Sequence, residues 1–171
     1  MNPPSESDLV SAAAVLGVAL RARDWRLATA ESSTGGLIGH VITATPGASD
    51  YYAGGVICYS DRAKEVGLGV PRELIEAHGA VSGEVAAAMA TGAAHRFEVE
   101  IGLSVTGIAG PEGGSEQKPL GTHVVGVARR GHPARVEHHL LTHDREGNKA
   151  AAALAALSLA LDEVATASTE R

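Results

Sequence analysis

Between Leu27 and Gly36 a short apolar run ends abruptly in Glu31, two serines (Ser32, Ser33), a threonine (Thr34) and two glycines (Gly35, Gly36). Hydroxyls at the carboxyl end of a strand, beside the unpaired N–H groups of a starting helix, can hold an anion or receive a reacting carbonyl. The same residues also serve as an ordinary Ser/Thr helix cap with glycines for a tight turn. A serine hydroxyl attacks only when a base takes its proton. Histidine commonly does so, as can a lysine whose ammonium form is disfavoured by burial. Lys64, in Tyr59-Ser60-Asp61-Arg62-Ala63-Lys64, is a candidate for that base or else an exposed helix lysine. Tyr59, at the end of an apolar run, belongs by default to the core, where its phenol would need a partner. A third segment, Thr106-Gly107-Ile108-Ala109-Gly110-Pro111, offers backbone N–H groups at a glycine-permitted bend, suited to an oxyanion or a phosphate, although most such loops are only loops.

Each segment follows a candidate strand. In a largely parallel sheet the loops after strands gather at one edge, so segments far apart in sequence can meet there. The pattern predicts a helix over 6–24, whose Leu9, Ala12, Ala13, Leu16, Ala19 and Leu20 form one face. A strand over 26–30 and a helix over 35–43 come next, then turn residues at 46–50. A strand over 52–59 leads to a short helix carrying Lys64. Pro71 opens another, and Ser82 caps an alanine-rich helix reaching Phe97. A buried strand over 100–106, a Gly- and Pro-rich loop over 107–121, strands over 123–129 and 135–142, and a helix over 146–165 complete the chain. Strands that alternate with helices and end in a hairpin predict an α/β fold: a three-layer α/β/α domain with a mixed, largely parallel sheet. Residues 1–5 are expected as a flexible arm and 6–171 as a single domain.

Composition narrows the function. Apolar residues make up 44% of the 171-residue chain and aromatic ones 3%, so aliphatic side chains and alanine must build the core. A net charge of −6, with no long basic run and few aromatics, argues against nucleic-acid binding. No run is long enough to span a membrane, and the amino-terminal residues lack the pattern of a secretory signal. One cysteine, Cys58, excludes an intrachain disulfide and fits a reducing, cytoplasmic setting; it reads as a small buried hydrophobe. Eight histidines show no metal-ligand spacing. Adjacent His138 and His139 should face opposite sides of a strand. A Ser–His–Asp triad stays open on the histidine count, but no G-x-S-x-G elbow supports it.

Taken together, the motifs resemble the CinA C-terminal domain family, whose enzymatic members are nicotinamide-nucleotide amidases. The matching text is A-E-S-S-T-G-G (30–36), P-G-A-S-D-Y-Y-A-G-G-V-I-C-Y-S-D-R-A-K (46–64), H-G-A-V-S-G-E-V-A (78–86) and V-T-G-I-A-G-P-E-G-G (105–114), continued by K-P-L-G-T (118–122) and Asp144-Arg145. The resemblance implies hydrolysis of the carboxamide of nicotinamide mononucleotide (NMN), a small-molecule substrate, without a metal or other cofactor. By position, it makes Ser32 the nucleophile, Lys64 its base and Tyr59 a residue that positions groups or relays a proton. Glu31, Ser33, Thr34, Gly35, Gly36, Thr106, Gly107, Ala109 and Gly110 would form the substrate pocket, with Arg145 on the nucleotide phosphate. Many members carry an additional N-terminal domain, and this chain is expected as the stand-alone, homo-oligomeric form. Ser33 stands where the family commonly has cysteine. A non-catalytic nucleotide-binding or regulatory module on the same fold is the alternative, since fold alone does not establish chemistry.

Overall fold

Leu27–Glu31 (β1) is buried along its whole length, as a strand with helices on both faces must be. In the computed structural model, which describes residues 2–167, β1 pairs in parallel with Tyr52–Ile57 (β2) on one side and Ile101–Gly107 (β3) on the other. β3 pairs antiparallel with Thr122–Arg129 (β4), which pairs antiparallel with Arg135–Leu140 (β5). The order is β2-β1-β3-β4-β5, and β4 alone runs against the other strands. The sheet is thus mixed, as expected. Met1 and residues 168–171, which include the end of the expected domain, lie outside the described residues.

Glu6–Arg21 (α1), Leu37–Thr43 (α2) and Arg145–Thr166 (α6) cover one face through Leu16, Leu20, Ile38, Leu157 and Ala160, packed on Leu27, Ile101, Leu103, Val105 and Val125. Asp61–Leu68 (α3), Arg72–His78 (α4) and Gly83–Arg96 (α5) cover the other through Leu68, Ile75, Val85, Met89 and Ala93, packed on Ala28 and Ala30. These helices and the sheet form three layers, α/β/α. The side chains at the end of the amino-terminal stretch join the fold. Ser5 accepts from Asp8 N and closes a capping box, and Pro3 lies close to Gly147.

The α5 face explains how an aromatic-poor chain fills its core. Ala86, Ala90, Ala93 and Ala94 let the α5 backbone settle onto small residues of the sheet. A Cβ on Gly102 would stand 1.9 Å from Ala90 O, and one on Gly126 2.9 Å from Ala86 O. The Ser104 hydroxyl donates to Ala86 O at 2.7 Å, tying strand to helix where no larger side chain fits.

Chain direction then fixes where a ligand can go. α2 carries the chain from β1 out to the edge strand β2. Helices α3 to α5 carry it back across the opposite face to β3, on the far side of β1. The carboxyl end of β1 is therefore the point where connections diverge, the place where open α/β sheets leave a crevice.

Candidate active site

Ser32 and Ser33 leave the carboxyl end of β1, and both are buried. The Ser32 amide is held by Val105 O of β3 at 3.0 Å, which fixes the nucleophile candidate against the neighbouring strand. On β2 the ladder stops at Ile57, and Cys58 N still donates to Glu31 O at 2.8 Å. Ser60 then caps α3 by accepting from Ala63 N at 3.1 Å. One turn later Lys64 points inward instead of outward, and only 1% of its surface is exposed. Lys64 Nζ donates to Ser32 Oγ at 3.3 Å and to Cys58 O at 3.1 Å, and it stands 4.0 Å from Asp61 Oδ1. A buried amine so close to a serine hydroxyl, with a single carboxylate at long range, is the arrangement a serine–lysine hydrolase needs. The exposed-helix reading of Lys64 does not hold.

The pair opens into a pocket of about 240 Å³. Its walls include Ser32, Ser33, Tyr59, Lys64, Thr106, Gly107, Ala109 and Arg145, all expected there. Asp61, Ala80 and Val81 join them without having been singled out. Asp61 lay within the tyrosine-to-lysine segment but looked like a first-turn helix residue, which it also is. Ala80 and Val81 carry no chemistry in their side chains, so residue type could not mark them. A larger hollow of about 560 Å³, between the end of α5 and the β4–β5 turn, lies at the opposite end of the sheet and lacks a nucleophile beside a base.

The remaining residues of the first segment are used differently. The Glu31 carboxylate accepts from Thr34 Oγ1 at 2.7 Å, Gly36 N and Ile38 N at 3.0 Å, and Gly39 N at 2.8 Å. It satisfies the first amides of α2 and faces that helix. Gly35 and Gly36 adopt φ of +64° and +103°, which glycine alone does without strain, and so turn the chain for those contacts. Glu31, Thr34, Gly35 and Gly36 thus build the turn that presents Ser32, and none of them lines the pocket.

Thr106 and Gly107 are still paired with β4, opposite Val124 and His123, so the bend begins later than expected. Thr106 Oγ1 donates to Ala80 O at 2.9 Å. The imidazole of His123, fully buried, covers Gly107: a Cβ there would stand 2.2 Å from the ring. Burial holds the His123 ring below its usual 6.5, so it is neutral at neutral pH, and its Nδ1 donates to Gly121 O at 3.0 Å.

Tyr59 departs from the core expectation. It is 64% exposed at the pocket mouth, where the phenol oxygen accepts from Arg145 Nη2 at 3.3 Å. Arg145 opens α6 and also donates through Nη1 to Gly110 O. Gly110 carries φ of +92°, and its contribution is this carbonyl. Asn148, one turn along α6 and buried, donates to Ala109 O at 3.1 Å and fixes the root of the loop. An asparagine on the inner side of an otherwise alanine-rich helix was the signal for it. Burial pushes the Cys58 thiol up to about 11, so Cys58 is protonated at neutral pH and behaves as the small hydrophobe expected. Among the described residues, no three His, Cys, Asp or Glu side chains are grouped to hold a metal ion, and no helix is long and apolar enough to cross a membrane.

Residues 10–164 match the family pattern of the CinA C-terminal domain. This chain belongs to the CinA C-terminal domain family. A CinA-like protein of Salinibacter ruber is 49% identical over 148 residues, covering 86% of this chain and 36% of that protein. One from Syntrophobacter fumaroxidans is 48% identical over 145 residues, 85% of this chain and 34% of its own. The chain therefore spans about a third of the length of these CinA-like relatives. A crystal structure of a CinA superfamily protein from Klebsiella pneumoniae superposes with a TM-score of 0.88 at 33% identity, over 92% of this chain and 98% of that one. The CinA superfamily protein of Escherichia coli gives 0.84 at 33% identity, over 92% and 90%.

Proposed function

We propose that this CinA domain hydrolyses the carboxamide of NMN to nicotinate mononucleotide and ammonia. The observation that carries the reading is the 3.3 Å contact between Lys64 Nζ and Ser32 Oγ inside the pocket. Lys64 takes the Ser32 proton as Oγ attacks the carboxamide carbon. The negative charge that develops on the amide oxygen faces the β1–α2 turn. There the Ser32 amide is engaged with Val105 O, and the backbone amide of Ser33, a residue that lines the pocket, is the candidate to stabilise it. Lys64 then passes its proton to the leaving nitrogen, ammonia departs, and Ser32 holds the nicotinoyl ester. Water attacks the ester as Lys64 takes one of its protons, and Lys64 returns that proton to Ser32 Oγ as the acyl–oxygen bond breaks and the acid is released.

Arg145 is the candidate for the 5′-phosphate. Two of its N–H groups are engaged by Gly110 O and Tyr59, and the guanidinium keeps further donors for an anion. Tyr59 holds that guanidinium at the mouth, which makes it a positioning residue for the nucleotide end of the substrate.

Ammonia release from NMN tests the reading. Ser32→Ala is expected to lower kcat by about a thousandfold or more, the scale of losing an activated nucleophile, and Lys64→Arg to fall similarly because guanidinium does not act as a base at neutral pH. Full activity in Ser32→Ala overturns the assignment. Arg145→Ala should raise KM for NMN far more than for nicotinamide riboside, which lacks the phosphate. Equal losses would place Arg145 at the reacting end or in the fold.

A further inference from the structure

Three charged residues line the pocket among those described: Lys64 beside the nucleophile, Arg145 at the mouth, and Asp61. Asp61 has no task in the mechanism above. It sits at the first position of α3, but Ser60 already caps that helix. Its distance to Lys64 Nζ, 4.0 Å, is too long for a hydrogen bond, and its side chain is 60% exposed on the pocket side. The pocket thus carries an open carboxylate close to the reacting end and a guanidinium elsewhere on its rim. Steps of 4.0 Å and 3.3 Å join Asp61 to Ser32 through Lys64, so this carboxylate and the reacting hydroxyl share one small pocket.

We propose that Asp61 is a specificity-determining residue whose carboxylate pairs with the positive charge of an N-ribosylated pyridinium ring, selecting it over neutral rings of the same shape. The inference rests on the amidase reading. The ring of NMN is a cation because its nitrogen bears the ribose, and its phosphate is an anion. The two charged walls match the two ends of such a molecule. The same carboxylate repels the acid formed by hydrolysis, so the group that admits the cationic amide also favours departure of the product. The pairing is partly exposed, which keeps it modest and sensitive to salt.

The test compares NMN with the C-nucleotide of benzamide, which keeps the carboxamide, ribose and phosphate on an uncharged ring. Binding of both is measured by calorimetry to Ser32→Ala protein, where turnover does not interfere. NMN is expected to bind about fivefold tighter at low salt, the scale of a partly exposed ion pair, and the ratio should shrink as salt rises. Adding Asp61→Asn should erase the ratio by weakening NMN alone, and Asp61→Glu should restore part of it. A role of Asp61 on Lys64 or on folding would move both ligands alike, so a ratio that survives Asp61→Asn overturns the proposal. The amidase reading fails separately, if wild-type protein binds NMN with this charge preference yet releases no ammonia. Failure of both nucleotides to bind overturns both.

Discussion

Two buried charges flank the end of β1 and are treated in opposite ways. Glu31 receives four hydrogen bonds of 2.7–3.0 Å, three of them from the amides of one helix start. Lys64, just as buried, has two neutral oxygens at 3.1 and 3.3 Å and one carboxylate at 4.0 Å. The first charge is compensated about as fully as a buried carboxylate can be and holds the turn in shape. The second is compensated poorly, which costs stability and sets the amine within hydrogen-bond reach of the Ser32 hydroxyl. The contrast separates what builds this junction from what reacts in it.

Lys64→Met should break the contrast most sharply. We expect amide hydrolysis to fall by about a thousandfold or more while the urea midpoint holds or rises, since an apolar side chain of similar volume removes a poorly paired buried charge. Glu31→Ala should do the reverse in stability, lowering it by about 3–4 kcal/mol because three amides and a hydroxyl lose their acceptor. Denaturant unfolding of both proteins checks the pair of signs, and equal losses of stability would dissolve the distinction.

Ser33 sharpens the comparison at a smaller scale. Its hydroxyl is buried and has no hydrogen-bond partner among the described residues, unlike the Ser32 hydroxyl next to it. A thiol or methyl group there leaves less unsatisfied polarity, which gives a physical reason for cysteine to suit this position. Ser33→Ala should retain most of the activity and change stability by about 1 kcal/mol or less, toward greater stability. A collapse of activity comparable with that of Ser32→Ala would exchange the roles of the two serines.

The shallowest effect is on pH dependence. His123 is held below its usual 6.5 by burial. As pH falls through 6.5 the unfolded chain takes up a proton at this residue and the folded chain does not, so the stability it allows is present above 6.5 and declines below it. His123→Gln should flatten the fall of the urea midpoint on the acid side of 6.5 relative to wild type. An unchanged slope would show that the ring is not what the acid acts on.

Much of this was legible in the residues. Periodicity placed every long helix, and Ser82 marks a start that the structure shows as a cap, whereas the caps Ser60 and Asp144 went unmarked. The strand ends differ by one or two residues because pairing, which periodicity does not see, decides where a ladder stops: β3 continues through Gly107 since β4 is there to meet it. The Ser32–Lys64 encounter followed from two segments at one sheet edge. The task of Glu31 was hidden because its partners are mostly backbone amides, which every sequence has. The default reading of Tyr59 as a core residue failed, while its place at the site held, because the apolar run before it belongs to an edge strand that has already ended at Ile57, leaving the ring at the rim.

Helix α6 ties both ends of the sheet together. Its 22 residues span about 33 Å at 1.5 Å per residue. At its start Arg145 and Asn148 grip the carbonyls of Gly110 and Ala109, and near its end Glu163 grips Arg129 and Arg135, both at 3.1 Å. Mechanically it is a tie rod. The long loop after β3 is clamped to it at the root, so any swing of the loop beyond Pro111 pivots on a fixed bearing. The seat of the nucleophile rests elsewhere, on the ladder that joins β1 to β3.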